Sequence, residues 1–106
     1  MSARSKRLKP IRPGEILHQD LLVPMNLSMN RLAMDLHVPV TRVAEIVHGR
    51  RAITADTALR LSRYFNTSAH FWLNLQKDYE LEVAEDAVRA LIDRQVRPLA
   101  ELASAR

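Results

Sequence analysis

Apolar residues recur at the spacing of an α-helix along nearly the whole chain, and no stretch alternates as a β-strand does. The first predicted helix begins at Pro13, whose fixed φ suits the first helical position, and ends near Leu22, before Pro24. Four further helices are predicted. Three of them follow capping residues: 29–36 after Ser28, the helix that Thr54 caps and Asn66 ends, and the helix from Ser68 to Tyr79. The fourth, at 40–47, follows Pro39, which gives its start less local support than a serine or threonine cap would. The sequence therefore predicts an all-α fold.

The apolar pattern changes after Tyr79, where apolar residues recur about every 3.5 positions. This spacing predicts a further helix that is either continuous with the fifth or hinged near Ala84, and that ends before Pro98. Four residues on one side of it form what we call the apolar stripe: Leu81, Val88, Leu91 and Ile92. Because five helices already close a core, we expect the stripe to form a homodimer interface. Folding back onto its own domain and binding a partner protein are the alternatives.

The second and third predicted helices are joined by a very short link at 37–38. Short links make neighbouring helices pack at a steep angle, which is the helix-turn-helix arrangement. Leu32 and Leu36 on one helix and Val43 and Ile46 on the other supply a shared core. Two amphipathic helices in an ordinary bundle show a similar spacing, so a plain helix bundle is the alternative interpretation.

The polar side of the third helix, at about 39–48, mixes donors and acceptors in a way that suits base edges in the major groove of DNA. We expect Thr41, Arg42 and Glu45 to recognise bases, with Val40 either against a thymine methyl group or in the core. Phosphate contacts are expected at the start of the second helix and just after the third. The full predicted DNA-binding set is Ser28, Asn30, Pro39, Val40, Thr41, Arg42, Glu45, His48, Arg50 and Arg51.

Positive charge is concentrated in the first part of the chain. Residues 1–63 carry 11 basic and 5 acidic side chains, whereas residues 64–106 carry 5 basic and 7 acidic ones. This asymmetry favours a polyanionic partner such as double-stranded DNA. The predicted organisation is a flexible basic arm at 1–12, which contacts DNA or a protein partner, a DNA-binding domain at 13–79, and a C-terminal helical extension and tail at 80–106.

The composition disfavours several other functions. The chain has no cysteine and no metal-binding histidine spacing, so neither a metal nor a cofactor is expected. No catalytic pair of side chains stands at a recognisable spacing, and only two glycines are available to shape a pocket, so an enzyme is not expected. The sequence shows neither an apolar run of membrane-spanning length nor a secretion signal, so we expect a cytoplasmic protein without membrane contact.

Two stretches of the sequence resemble the HigA antitoxin family, part of the larger helix-turn-helix group that includes phage repressors. They are Arg-Pro-Gly-Glu-Ile-Leu at 12–17 and the long run at 49–76. The resemblance spans about residues 12–80 and departs mainly at turn positions, such as Ala52 and Asn66, where the family often has glycine. It implies a five-helix, lambda-repressor-like DNA-binding domain, to which the C-terminal helical extension is added.

The resemblance also implies a function. Members of the family are homodimers that bind a palindromic operator in their own promoter and repress it. They also neutralise a partner toxin of the HigB type, similar to ribosome-dependent mRNA endonucleases, by forming a complex with it. A stand-alone helix-turn-helix repressor without a toxin partner is the alternative, and a pure protein-interaction bundle is disfavoured by the positive charge at the front of the chain.

Overall fold

The computed structural model describes residues 10–104, and every regular element within that range is a helix. The elements are α1 (Pro13–Ile16), which continues as a π-helical segment (Leu17–Leu22), α2 (Met29–Leu36), α3 (Val40–Val47), α4 (Ala55–Phe65), α5 (Ala69–Gln95) and α6 (Leu99–Ser104). The predicted all-α fold and the positions of its five core helices are confirmed. Most of the predicted basic arm, residues 1–9, lies outside the described residues.

Hydrogen bonds at the caps confirm three of the predicted helix starts, whereas α1 and α3 begin without a side-chain cap. Three hydroxyl groups each accept a hydrogen bond from the backbone N–H three residues later: Ser28 from Arg31 at 3.0 Å, Thr54 from Thr57 at 3.5 Å and Ser68 from Phe71 at 3.0 Å. α2 and α4 end at His37 and Asn66, whose φ angles of 60° and 58° are left-handed. The left-handed turn at His37 stops α2 and allows α3 to begin at Val40.

The hydrophobic core lies between the first four helices and the first turns of α5. It consists of Leu17, Leu22, Leu32, Ala33, Leu36, Val43, Ile46, Val47, Ile53, Ala58, Leu61 and Trp72. Trp72 is fully buried, and its indole N–H donates a hydrogen bond to the Thr67 hydroxyl at 2.8 Å. Its ring also lies 6.3 Å from that of Phe65, measured between centroids. Trp72 therefore fixes the start of α5 against the end of α4.

α1 and α3 approach each other so closely that the contact requires a glycine. Gly14 is buried, and a Cβ at this position would meet the carbonyl oxygen of Ile46 and lie 2.8 Å from the Cα atom of Val47. Because both neighbours are backbone atoms, no side-chain rotation could make room. The contact holds the start of α1 against the last turn of α3.

α5 is one continuous helix of 27 residues, about 40 Å long, with no hinge near Ala84. Neither glycine nor proline occurs between 69 and 97 to interrupt it. All the described side chains from residue 83 onward are exposed, and the radius of gyration is 18.2 Å against about 13 Å for a compact chain of this length. The apolar stripe is 59% exposed at Leu81 and 38–42% exposed at its other three residues, so it does not fold back onto its own domain.

Replacing Trp72 with alanine should lower the free energy of unfolding by about 3–5 kcal/mol, because the whole side chain is buried and its N–H is paired. Chemical denaturation followed by circular dichroism measures this change. Phe71→Ala is the matched control, since the neighbouring Phe71 is 42% exposed, and it should cost much less. An unchanged denaturation midpoint for Trp72→Ala would contradict the packing described above.

Candidate nucleic-acid interface

α3 is held by its apolar side and exposes the opposite side. Val43 and Ile46 are buried against α1 and α2. At about 100° of rotation per residue, three polar residues lie on the side that faces away from this core: Thr41, Glu45 and His48. A polar helix face that follows a short turn after another helix is the geometry with which helix-turn-helix proteins enter the major groove.

The start of α3 is open to solvent at Pro39, Val40 and Thr41. Val40 is 41% exposed and does not belong to the core, so the alternative that placed its side chain inside the domain is wrong. The exposed surface here combines a hydroxyl group with a branched apolar side chain. This pair suits a base edge and a thymine methyl group, respectively.

Two of the predicted DNA contacts, Glu45 and Arg51, pair with each other. Arg51 Nε donates a hydrogen bond to Glu45 Oε1 at 2.7 Å, and Arg51 Nη2 lies 2.7 Å from the same oxygen in an ion pair. Both side chains are partly exposed, so the pair lies at the surface beside the end of α3. By compensating the Glu45 charge, Arg51 reduces the repulsion between this carboxylate and DNA phosphates.

His48 is oriented by its own helix. Its Nδ1 atom lies 2.8 Å from the carbonyl oxygen of Ala44, and because a carbonyl only accepts, Nδ1 carries the proton. Nε2 is then an acceptor in the neutral ring and a second donor in the protonated ring. The side chain is exposed, so Nε2 is available to a base or a phosphate.

Arg42 lies at the edge of the exposed face, next to α4. Its Nη1 atom donates to Asp56 Oδ2 at 2.9 Å, and the side chain is 30% exposed. The same oxygen accepts a hydrogen bond from Arg60 Nε at 2.9 Å. The hydrogen bonds from Arg60 and Arg42 hold the pKa of Asp56 below its usual range, so this carboxylate is ionised at neutral pH.

The predicted phosphate contacts lie at two places beside α3. Ser28 caps α2 with its oxygen and keeps its hydroxyl proton free to donate, and Asn30 is exposed in the first turn of the same helix. Arg50 is exposed directly after α3, where its backbone N–H donates to the Glu45 carbonyl at 2.7 Å. Helix N-termini and exposed guanidinium groups are common ligands of DNA phosphates. The DNA contacts of these residues stay predictions.

Asp56 and Arg60 belong to this surface, although the sequence pattern gives little sign of it. An acid in the first turn of α4 is explained by the helix dipole alone. The one local signal is the four-residue spacing of Asp56 and Arg60, which favours an ion pair on one helix. α4 packs against α2 and α5, and only this tertiary packing brings Asp56, in the first turn of α4, to Arg42, 14 residues away along the chain.

Two other kinds of site, a metal site and a membrane-spanning helix, are absent from the described residues. Among residues 10–104, no group of three or more His, Cys, Asp or Glu side chains is arranged to hold a metal ion. Over the same residues, no helix has both the length and the apolar character needed to cross a lipid bilayer. α3 and its neighbours expose a row of hydrogen-bond donors and acceptors flanked by guanidinium groups. This arrangement suits binding to double-stranded DNA.

Comparison with known proteins identifies the family to which this arrangement belongs. A helix-turn-helix family model matches residues 19–72, which contain the π-helical segment's end, α2, α3, α4 and the start of α5. Virulence-associated protein I of Dichelobacter nodosus is 52% identical to the chain over 83 residues, a match that covers 78% of this chain and 77% of the relative.

Solved structures show the same similarity over a longer range. The structure of Pseudomonas aeruginosa antitoxin HigA with the higBA promoter is 45% identical, with a TM-score of 0.83, and the match covers 86% of this chain and 99% of the other. An addiction module antidote protein of the HigA family from Coxiella burnetii is also 45% identical, with a TM-score of 0.81 and the same two coverages. The chain therefore belongs to the HigA antitoxin family of helix-turn-helix proteins.

Proposed function

We propose that this chain is the antitoxin of a toxin–antitoxin pair and a repressor of its own promoter, and that it is not an enzyme. The observation that carries the proposal is the exposed polar face of α3, with Thr41, Glu45 and His48 on a helix-turn-helix scaffold. The similar Pseudomonas aeruginosa antitoxin HigA was solved with the higBA promoter, which supports promoter binding by this chain. A cytoplasmic location follows from the proposal, since promoter DNA lies in that compartment.

The proposed DNA contacts divide into two groups by chemistry. Side chains along α3 reach base edges in the major groove, and those on either side of it bind phosphates. The base contacts are Thr41, Arg42, Glu45 and His48, with Pro39 and Val40 at the helix start. The phosphate contacts are Ser28, Asn30, Arg50 and Arg51.

The toxin partner is proposed from the family alone. Antitoxins of this family are expected to bind a HigB-like toxin, and a stand-alone repressor would share every DNA contact given above. Purifying the chain from its native cell and identifying the proteins that accompany it distinguishes the two functions. A basic protein of about one hundred residues encoded beside the gene would support the antitoxin, whereas a chain that purifies alone under all conditions favours the stand-alone repressor.

A homodimer is proposed because one recognition helix covers only half of a palindromic operator. The apolar stripe on α5 is exposed, runs along a helix that projects away from the core, and offers the same surface in each copy. Two such helices packed against each other would bury both stripes about a two-fold axis. Pairing through α5 would set the distance between the two copies of α3.

Thr41→Ala tests the base contacts. The affinity for the preferred operator should fall relative to operators with one changed base pair, by a factor that corresponds to about 1–3 kcal/mol of discrimination at one position. Arg50→Ala is the control, because it removes a phosphate contact. It should weaken binding to all duplexes equally and reduce the slope of log affinity against log salt by about one. If Thr41→Ala kept the full operator preference, α3 would not be the recognition helix.

Val88→Asp combined with Leu91→Asp tests the dimer interface. Buried carboxylates on both copies repel each other and lose hydration, so the variant should be a folded monomer that binds its operator much more weakly. Sedimentation measures the mass and circular dichroism measures the helix content. Ala90→Asp is the matched control, because this exposed residue lies on the far side of α5 from the apolar stripe. A double variant that remained dimeric would place the interface elsewhere.

A further inference from the structure

A chain of three contacts leads from the end of α2 to the guanidinium of Arg42. The Nη1 atom of Arg60 donates to the carbonyl oxygen of Leu36 at 2.9 Å, which anchors Arg60 to the last turn of α2. Arg60 Nε donates to Asp56 Oδ2, also at 2.9 Å. That oxygen in turn accepts the hydrogen bond from Arg42 Nη1. The backbone of α2 thus fixes Arg60, Arg60 fixes Asp56, and Asp56 fixes the guanidinium of Arg42.

We infer that Asp56 is a positioning residue for DNA sequence recognition, which holds the Arg42 guanidinium in the orientation from which it contacts a base. The inference rests on the proposed function, in which Arg42 is a base contact. Asp56 itself does not touch DNA in this account. It acts only through Arg42, from the neighbouring helix α4.

The geometry of Arg42 fits this role. Its contact with Asp56 uses Nη1, so the edge formed by Nε and Nη2 stays available for two parallel hydrogen bonds to a base. An arginine with two such donors is the commonest specific partner of guanine in the major groove. A long side chain that is already held loses less conformational freedom on binding than one that rotates freely.

Stabilisation of the fold alone accounts poorly for these contacts. Arg42, Asp56 and Arg60 are all partly exposed, and ion pairs at the surface contribute little to folding stability. A carboxylate close to DNA also repels the phosphates, so Asp56 opposes general DNA binding. Asp56 should therefore increase sequence discrimination by positioning Arg42, and decrease general DNA affinity by repelling phosphates. Because these two effects have opposite signs, an experiment can separate positioning from both fold stability and overall charge.

The experiment measures discrimination and general affinity separately. The duplex that the protein selects from a randomised library, its single-base variants and a random duplex are titrated against the unaltered protein, Asp56→Asn, Arg42→Ala and the double variant. Asp56→Asn should reduce discrimination by about fivefold or more at the base pair at which Arg42→Ala reduces it. Its affinity for the random duplex should stay the same or rise. The double variant should discriminate no less than Arg42→Ala.

Two further variants serve as controls. Asp35 also accepts hydrogen bonds from an arginine and a second side chain, Arg31 Nε at 3.0 Å and the Tyr64 hydroxyl at 2.6 Å, but these partners belong to α2 and α4. Asp35→Asn should therefore leave discrimination unchanged. Arg42→Lys keeps the charge and loses the fork of donors, so it should keep general affinity and lose discrimination as Asp56→Asn does. Thermal unfolding confirms that each variant is folded at the temperature of the titration.

Several results would overturn the inference. The inference is wrong if either Asp56→Asn or Arg42→Lys keeps the full discrimination between operator sequences. It is also wrong if Asp56→Asn loses affinity for every duplex by the same factor. A further loss of discrimination when Asp56→Asn is added to Arg42→Ala would show that Asp56 acts elsewhere. In each case Thr41→Ala would still report on the proposed function, which fails separately if the unaltered protein prefers no sequence.

Discussion

The approach of the α1 backbone to the α3 backbone at Gly14 is the constraint on which the rest of the interface depends. There is no room for a side chain between Gly14 and the carbonyl oxygen of Ile46, so α1 rests directly on the last turn of α3. On its other apolar side α3 packs against α2, which ends in the left-handed turn at His37. Held in this way, α3 has one remaining free side, and that side is polar.

Most polar side chains on and beside that free side are oriented by contacts within the chain itself, in the absence of DNA. Glu45 is paired with Arg51, His48 is bonded to its own helix, and Arg42 is held from α4 through Asp56. Pre-set side chains lose less conformational entropy on binding, which favours a specific contact over a loose electrostatic one. The same surface thus combines a fixed pattern of donors and acceptors with exposed positive charge at Arg50, which suits general attraction to phosphates.

Local features of the sequence were sufficient to predict most of the fold, but not the polar contacts between helices. The caps at Ser28, Thr54 and Ser68 were predictable because each depends on a residue and an amide three positions away. The pairing of Arg42 with Asp56 was not, because it depends on how α4 packs against α2 and α5. Whether the helix was continuous at Ala84 also stayed open in the sequence, since both alternatives give the same apolar spacing.

We propose that two copies of this chain pair through α5 and place two α3 helices on one face of the DNA. Hydroxyl-radical footprinting on the promoter of the chain's own gene tests it most directly, because the cleavage pattern reports which backbone positions are covered. We expect two protected segments on the same face of the duplex, with centres one helical turn of about 10–10.5 base pairs, or a whole number of turns, apart. A single protected segment, or two on opposite faces, would contradict it.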